Sequence, residues 1–300
     1  MVSYNVCRQP TALPLGAGAP TPHLKVSAAN NLMPDLCILN LSSRAKRSDP
    51  EHYPLEGRVL LASGAFLHLD LASKILSMKI SEIFLSIEGE GIRTGAPAVF
   101  IRLFGCNLRC SYCDSMYAVE GTDYCELSVE EILQKVKSFN TQYVTLTGGE
   151  PLIHKNVDIL LKTLENSGYF INIETNGTQP KPAGFKHLFC TMDWKSPSSG
   201  MNSRMKMENL LTLDEHDVVK FVVANIEDLE DAAKVVESFE HLFTAQGKKL
   251  PTFYVSPVFN TMPYEQMVNW ILANDTMRKN NVRFQVQLHK VIWDPNARGV

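Results

Sequence analysis

Three cysteines in one short stretch could do more chemistry than any other residues of this sequence. They form the pattern Cys106-x3-Cys110-x2-Cys113, and residues 106–113 are termed the cysteine loop below. Cysteine thiolates hold the irons of iron–sulfur clusters. Three thiolates can therefore hold three corners of a 4Fe–4S cube and leave the fourth iron open to a ligand. The sequence predicts a reactive cluster at this loop.

A structural zinc site is the alternative interpretation of the same loop. Closed zinc sites take four ligands, commonly from two Cys-x2-Cys pairs. The sequence has one group of three cysteines, although Cys125 or His154 could complete a tetrahedron. Spacing favours the cluster and leaves zinc open.

The cysteine loop follows an apolar, β-rich run at residues 98–104, which indicates a loop at a strand end. Similar runs cover residues 80–87, 143–147, 170–175, 189–194, 217–224, 252–258 and 282–288, and helical patterns cover residues 128–139, 157–167, 226–240 and 263–274. Ser128 and Glu131 form a capping-box signature at the start of the first helix. Alternating strands and helices predict an α/β fold with a parallel sheet, in the form of a partial TIM-like (β/α) barrel. In such sheets the loops after the strands carry the chemistry.

Polar segments follow three further predicted strands. They are Gly148-Gly149-Glu150-Pro151, the segment 174–177 and the segment 193–199. Paired glycines let a ligand approach bare backbone groups, although each segment alone is also an ordinary turn. Because the carboxyl ends of parallel strands meet at one edge of a sheet, the four segments together predict one site.

Composition narrows the class of protein. The chain has 300 residues, 45% hydrophobic and 20% charged, with a formal net charge of −3. These values are typical of a globular protein with a sizeable core, and the lack of a basic excess speaks against direct nucleic-acid binding. Four of the seven cysteines are scattered in a chain that is too large to need disulfides, which indicates a reducing, cytoplasmic location. Charges interrupt the apolar segment 59–78, so it does not qualify as a membrane span.

Residues 1–77 differ from the remainder of the chain. Prolines and glycines crowd residues 10–22, a polar patch covers residues 42–50, and sustained periodicity is lacking. This composition predicts a poorly ordered extension before a catalytic domain at residues 78–300. We expect Met78 to be the natural start, which would make the extension non-native.

The cysteine pattern with Gly148-Gly149-Glu150-Pro151 resembles the radical S-adenosylmethionine superfamily, in which the methionine end of the cofactor binds the open iron. Residues 82–91, Arg102, 113–115, 193–201 and 287–300 are similar to the 7-carboxy-7-deazaguanine synthase family, and this resemblance covers residues 78–300. It implies conversion of 6-carboxy-5,6,7,8-tetrahydropterin to 7-carboxy-7-deazaguanine with loss of ammonia, in the biosynthesis of queuosine and other 7-deazapurines. Two alternatives are an activating protein for glycyl-radical enzymes, which would not explain residues 86–91 or Arg102, and a zinc-binding interaction module.

The resemblance also implies roles for individual residues. Cys106, Cys110 and Cys113 would hold the 4Fe–4S cluster. S-adenosylmethionine would contact Tyr112, Cys113, Asp114, Gly148, Gly149, Glu150, Asn176, Asp193, Trp194, Lys195, Ser256, Pro257, Val258 and Phe259. The pterin would contact Ile87, Glu88, Gly89, Glu90, Arg102, Thr147, His289 and the terminal carboxylate of Val300. Ser115 would bind Mg²⁺. A flavodoxin or ferredoxin would donate the electron, and the enzyme would be a homodimer.

Three of these residues also have an interpretation from their own chemistry. The planar guanidinium of Arg102 suits a substrate carboxylate, whereas an arginine on the outer face of a strand is the plain alternative. The Ser115 hydroxyl is a hard ligand suited to Mg²⁺, whereas a serine at this place is more commonly a helix cap. Many relatives have glutamine in place of Glu88 and threonine in place of Ser115. The first difference brings an additional negative charge, and the second keeps the hydroxyl.

Overall fold

A computed structural model of the chain describes residues 58–60, 66–68 and 76–300. The described residues belong to two units, one that contains residues 58–60 and 66–68 and one that contains residues 78–300. In the first unit, β1 (Arg58–Leu60) and β2 (Phe66–His68) pair as an antiparallel ladder. The predicted poorly ordered extension at residues 1–77 otherwise lies outside the described residues.

One nine-stranded sheet organises the second unit. Its strands are β3 (Ser77–Ile87), β4 (Pro97–Leu103), β5 (Cys125–Ser128), β6 (Tyr143–Gly148), β7 (Phe170–Thr175), β8 (Leu188–Lys195), β9 (Val218–Val223), β10 (Thr252–Pro257) and β11 (Arg283–Phe284). Their order is β11-β10-β9-β8-β7-β6-β4-β3-β5. All neighbours from β4 to β11 pair in parallel, while β3 runs antiparallel to β4. Because β5 and β11 end the order, the sheet stays open, and the predicted α/β fold with a partial barrel is confirmed.

The helices lie between successive strands along the chain, except for the last helix, which follows β11. They are α1 (Val129–Lys137), α2 (Val157–Asn166), α3 (Met207–Leu210), α4 (Ile226–Ala245), α5 (Tyr264–Ala273), α6 (Asp275–Lys279) and α7 (Leu288–Ile292). Helix α1 begins at the predicted capping box: the Glu131 N–H donates to Ser128 Oγ, and the Ser128 N–H donates to Glu131 Oε2. Asn225 caps α4 by accepting from the Asp228 N–H at 3.0 Å. Both caps satisfy N–H groups that a helix start leaves unpaired.

The core joins the sheet to the helices that pack on it. Ile101 and Leu146 of the strands are fully buried, as are Leu160 of α2 and Val236 of α4. Truncating one such leucine to alanine costs about 2–5 kcal/mol, because the cavity adds to the lost transfer free energy. This burial fixes the strand ends that carry the polar segments. In the described part of the chain no helix is both long enough and apolar enough to span a membrane.

Near the sheet edges one predicted strand is shorter than expected and one strand was not predicted. The strand predicted at residues 282–288 is only Arg283–Phe284, and the Gln285 N–H makes a last bond to the Val255 carbonyl of β10 at 2.9 Å. Gln285 Oε1 accepts from the Gly91 N–H at 3.0 Å, and Gln285 Nε2 donates to Thr94 Oγ1 at 2.8 Å. Strand β5 was missed, because its four residues run straight into the capping box of α1.

Candidate active site

The polar segments after the parallel strands meet at one cavity of about 490 Å³, termed the strand-end pocket. The segments after β4, β6, β7 and β8 line it, together with residues from β9, the loop after β10 and the C-terminal residues 295–300. The four segments that the sequence singled out therefore do share a site. The packing of parallel strands side by side is what brings them together.

Contacts with two neighbouring segments hold the cysteine loop at the pocket. The Ser111 N–H donates to the Ser199 carbonyl at 3.0 Å, and Ser111 Oγ donates to the Ser198 carbonyl at 2.7 Å. Asn176 Nδ2 lies 3.6 Å from the sulfur of Cys106, which it approaches as a donor. All three thiols line the pocket. The loop is thus fixed by the segments after β7 and β8.

Asp228 is a buried anchor beneath this arrangement. Its carboxylate accepts from the Ser198 N–H at 2.9 Å, from the Ser198 hydroxyl and from the Ala224 N–H at 2.7 Å. The segment 197–199 thereby stays pressed against the cysteine loop. The sequence analysis had given residues near this segment to the cofactor and had missed Asp228, which looks like any acidic residue in the first turn of a helix.

The donor set fits an iron–sulfur cluster. Burial raises the pKa of Cys110 and of Cys113, and the Lys195 ammonium group partly offsets it by favouring the thiolates. A bound metal deprotonates coordinating thiols outright, so burial does not prevent ligation. Cys125 and His154, which could have completed a zinc site, do not line the pocket. Among the described residues no three His, Cys, Asp or Glu side chains are placed to hold a single metal ion.

Two glycines bring bare backbone to the wall beside the thiols. Gly148 has φ +148°, and a Cβ there would collide with the backbone of Leu103. A Cβ on Gly149 would collide with the carbonyl of Gly105. The Gly149 N–H donates to the Leu103 carbonyl at 3.0 Å. Only glycine allows this close approach between the ends of β4 and β6.

Charged side chains build the wall next to the segments after β7 and β8. Lys220 Nζ lies 2.7 Å from Glu90 Oε2 and 3.2 Å from Asp193 Oδ1, and Lys195 Nζ lies 2.7 Å from Asp193 Oδ2. Burial would raise the pKa of Asp193, but the two ammonium groups outweigh burial and lower it. Burial raises the pKa of Glu174, which accepts from Thr147 Oγ1 at 2.9 Å. This wall offers carboxylate acceptors to a donor-rich ligand.

Arg102 faces the pocket from β4. Its Nε donates to Glu82 Oε1 at 2.7 Å, and the Tyr117 hydroxyl donates to the same oxygen at 2.7 Å. Burial opposes the charge, but the neighbouring Tyr117 and Glu82 oxygens outweigh it and raise the pKa of Arg102. Phe84 and Phe100 stack at 5.2 Å between ring centroids and also line the pocket. Because Glu82 bonds to Nε of Arg102, the terminal nitrogens of the guanidinium remain available to an anionic ligand.

Residues 287, 289, 290 and 295–300 form the remaining wall of the pocket, termed the C-terminal wall. The Leu288 N–H donates to the Gly89 carbonyl at 3.1 Å, and a Cβ on Gly89 would collide with the His289 ring. Lys290 Nζ donates to Asp114 Oδ2 at 2.7 Å, and burial lowers the pKa of His289. Glycine at position 89 thus lets the imidazole pack onto the loop after β3.

Twenty of the predicted site residues line the pocket, and their roles stay predictions. They are Ile87, Gly89, Glu90, Arg102, Cys106, Cys110, Tyr112, Cys113, Asp114, Ser115, Thr147, Gly148, Gly149, Asn176, Asp193, Lys195, Val258, Phe259, His289 and Val300. Five others do not line it: Glu88, Glu150, Trp194, Ser256 and Pro257.

Protein contacts account for three of those five. Glu150 accepts from the N–H groups of Asn176 and Leu152 at 2.6 and 2.9 Å, so it shapes the site instead of facing it. Trp194 Nε1 donates to Asp231 at 3.1 Å. Glu88, only 1% exposed, bonds to Arg93 at 2.9 Å and accepts from the Thr145 hydroxyl. Burial, followed by the charge of Glu174, raises the pKa of Glu88 to about 7.

Glu174, Lys220 and Tyr117 are among the pocket residues that the sequence did not single out. Glu174 opens one of the polar segments, so the strand-end pattern contained the signal for it. Lys220 is a lone charge inside the apolar strand β9, and a buried lysine is rare unless it is paired. Tyr117 lies in a short turn after the cysteine loop and carries no pattern of its own.

An open parallel sheet with a three-cysteine loop and a glycine pair at its strand ends defines a radical S-adenosylmethionine enzyme. Residues 100–189 match the radical SAM superfamily. QueE of Escherichia coli has a similar fold, with a TM-score of 0.57 and 23% identity over 73% of this chain and 98% of that one.

Curated relatives narrow the class to one family. The 7-carboxy-7-deazaguanine synthase of Clostridium acetobutylicum is 40% identical over 230 residues, which are 75% of this chain and all of that protein. The synthase of Methanospirillum hungatei is 39% identical over 75% of this chain and 89% of that protein. The chain belongs to the 7-carboxy-7-deazaguanine synthase family. It is therefore a lyase, and its family implies a 4Fe–4S cluster and S-adenosylmethionine.

Proposed function

We propose that this chain converts 6-carboxy-5,6,7,8-tetrahydropterin to 7-carboxy-7-deazaguanine with loss of ammonia, in 7-deazapurine and queuosine biosynthesis. The main support is the position of Arg102. Its Nε donates to Glu82, and its side chain lines the same pocket as the three thiols. A planar guanidinium binds a carboxylate through two parallel hydrogen bonds. A substrate carboxylate bound by Arg102 would share the pocket with the three thiols of the cysteine loop.

The pocket divides into a cofactor side and a substrate side. Cys106, Cys110 and Cys113 would hold the cluster, and the backbone at Gly148 and Gly149 would lie against S-adenosylmethionine. Bound together, these groups supply one-electron cleavage of the sulfonium and removal of a hydrogen atom from the substrate. The protein binds and orients the reactants.

The substrate side suits a pterin ring. Glu90 and Glu174 offer carboxylate oxygens to ring N–H donors, and the stacked Phe84 and Phe100 provide an apolar surface. The imidazole of His289, whose pKa burial lowers, is neutral at pH 7 and can accept or donate a hydrogen bond. Val300 lines the same pocket and would lie beside the substrate.

Magnesium belongs to this proposal through Ser115. Its Oγ donates to Asp114 Oδ1 at 3.0 Å and makes no capping bond to the short helix that follows. Mg²⁺ prefers oxygen ligands and completes its shell with water or substrate oxygens. The ion would act as a template for substrate oxygens.

Two variants test the ion. Ser115→Ala should lose the stimulation of turnover by added MgCl₂, whereas Ser115→Thr keeps a hydroxyl and should keep it. Equal magnesium dependence in both variants would remove Ser115 from the site.

The partners follow from the same chemistry. The cluster needs an external one-electron donor, for which we propose a flavodoxin or ferredoxin. A reducing compartment keeps the thiols available for iron, so we place the enzyme in the cytoplasm. We propose a homodimer, which light scattering of the purified protein tests directly.

The decisive experiment is an assay of anaerobically reconstituted protein. Given S-adenosylmethionine, a reductant, Mg²⁺ and 6-carboxytetrahydropterin, it should release ammonia and 7-carboxy-7-deazaguanine, identified by mass spectrometry. Abundant 5′-deoxyadenosine without the deazaguanine would contradict the substrate and leave the class of enzyme intact. Reaction mixtures without the pterin provide the background of cofactor cleavage.

A further inference from the structure

Tyr117 makes two separate contacts at the mouth of the strand-end pocket. Its hydroxyl donates to Glu82 Oε1 at 2.7 Å, the oxygen that also accepts from Arg102 Nε at 2.7 Å. Its ring lies 3.8 Å from the guanidinium carbon of Arg298, measured to the ring centroid. The residue therefore joins β3 and β4 to the C-terminal residues.

The first contact fixes the orientation of a guanidinium. Glu82 and Arg102 face each other across the antiparallel pair β3 and β4, and both side chains are mostly buried. With Nε bound to Glu82, the plane of the Arg102 guanidinium is fixed, and its terminal nitrogens are left for a second partner. A carboxylate held by a single partner can swing, whereas a second donor on the same oxygen restricts it.

The second contact holds the chain end. Arg298 stacks on the Tyr117 ring. Its guanidinium also donates to Asp123 Oδ2 at 2.7 Å. A guanidinium over an aromatic face is attracted by the negative charge of the ring face. Residues 295–300 all line the pocket, so a displaced Arg298 would open one of its walls.

We propose that Tyr117 is the positioning residue that sets selectivity for a carboxylated substrate, with its hydroxyl aligning Arg102 through Glu82 and its ring seating the C-terminal wall. The inference rests on the proposed function in one respect, namely that Arg102 receives the substrate carboxylate. Tyr117 itself touches neither the cluster nor the reacting atoms in this assignment. It acts through Arg102 and Arg298.

Selectivity can be measured as the dissociation constant of the pterin without a carboxylate divided by that of the carboxylated pterin. Anaerobic calorimetry on the reconstituted enzyme compares 6-carboxytetrahydropterin with tetrahydropterin, which lacks the carboxylate. The Tyr117→Phe variant keeps the ring and removes the hydroxyl. It should weaken binding of the carboxylated pterin about tenfold, as expected for a lost hydrogen bond to a charged group, and leave tetrahydropterin unchanged.

Two further variants separate the two contacts. Glu82→Gln keeps the size of the side chain and should lower the selectivity for the carboxylated pterin. This variant provides a second test if Tyr117→Phe folds poorly. Tyr117→Leu removes the ring as well and should weaken binding of both pterins. Tyr124→Phe is the matched control, since Tyr124 packs on Phe104 and does not line the pocket.

The outcomes distinguish this inference from the function on which it rests. A wild-type enzyme that binds both pterins equally would refute the role of Arg102 and with it the proposed function. A selective wild-type enzyme whose selectivity survives both Tyr117→Phe and Glu82→Gln would overturn the role of Tyr117 alone. A Tyr117→Leu variant that behaves like Tyr117→Phe would overturn the seating of the C-terminal wall.

Discussion

The cysteine side and the charged side of the strand-end pocket are built in different ways. The three thiols come from eight consecutive residues, and short contacts with segments 174–177 and 197–199 hold that loop. The charged side takes Glu82, Arg102 and Lys220 from three different strands, and Glu90 and Asp193 from positions far apart in the chain. A local loop carries its chemistry in its spacing, whereas a wall of paired charges exists only when the sheet has formed. Changes on the first side should act on metal content, and changes on the second side on stability and substrate binding.

The largest effect is expected from a cysteine ligand. Cys110→Ala should lower product formation by at least about a thousandfold, because a cluster held by two thiolates is not retained. Iron and sulfide analysis of the anaerobically purified variant should show the loss. Cys125→Ala, whose thiol lies outside the pocket, should keep its cluster. A Cys110→Ala variant with full iron and sulfide would show that the ligands lie elsewhere.

On the charged side, the largest effect should be on folding. Lys220→Met leaves the carboxylates of Glu90 and Asp193 without their shared partner, and Lys220 is only 5% exposed. Breaking a buried pair in this way costs about 3–5 kcal/mol in the free energy of unfolding. Urea denaturation measures it.

The exposed pair Lys249 and Glu215 is the control for this prediction. Its lysine side chain is 78% exposed, so Lys249→Met should leave the urea midpoint nearly unchanged. Similar losses in both variants would mean that burial does not distinguish the two ion pairs.

Glu88 should make stability depend on pH. Burial, then the charge of Glu174, raises its pKa from 4.5 to about 7, so the folded state binds a proton more tightly than the unfolded state. Its contribution is greatest below pH 4.5 and is lost as the pH rises to about 7, by at most about 3 kcal/mol. Glu88→Gln should remove that slope in urea titrations across this range. The exposed Glu126→Gln should keep it, and a slope that persists without Glu88 would assign it to another group.

Arg102 should affect binding with little effect on the cluster. Arg102→Lys keeps the charge and loses the bidentate geometry, so KM for the carboxylated pterin should rise about 30- to 100-fold. Iron content should stay at the wild-type level. An unchanged KM would mean that another residue binds the substrate carboxylate. The charged side of the pocket would then not be the substrate side.

The resemblance indicated the family from residues alone, and the comparisons support that family. Periodicity predicted most strands and four helices, because apolar alternation and helix caps are local signals. The strand predicted at residues 282–288 covers only Arg283–Phe284, and the Gln285 side chain that follows bonds to Gly91 and Thr94, nearly two hundred residues away. No local pattern contains such a bond.

The sequence by itself determined the spacing of the three thiols, which is a property of eight residues, and the family resemblance then favoured a cluster over zinc. It also determined the polar strand ends, because a parallel sheet gathers them at one edge. Only the tertiary structure decided that Glu88 and Glu150 turn into the protein while Glu174 and Lys220 face the pocket. The physical reason is that side-chain direction and ion pairing depend on which strands become neighbours. Arg102 was already a predicted site residue, whereas Glu82 and Tyr117, whose hydrogen bonds hold its guanidinium, became visible only in the folded chain.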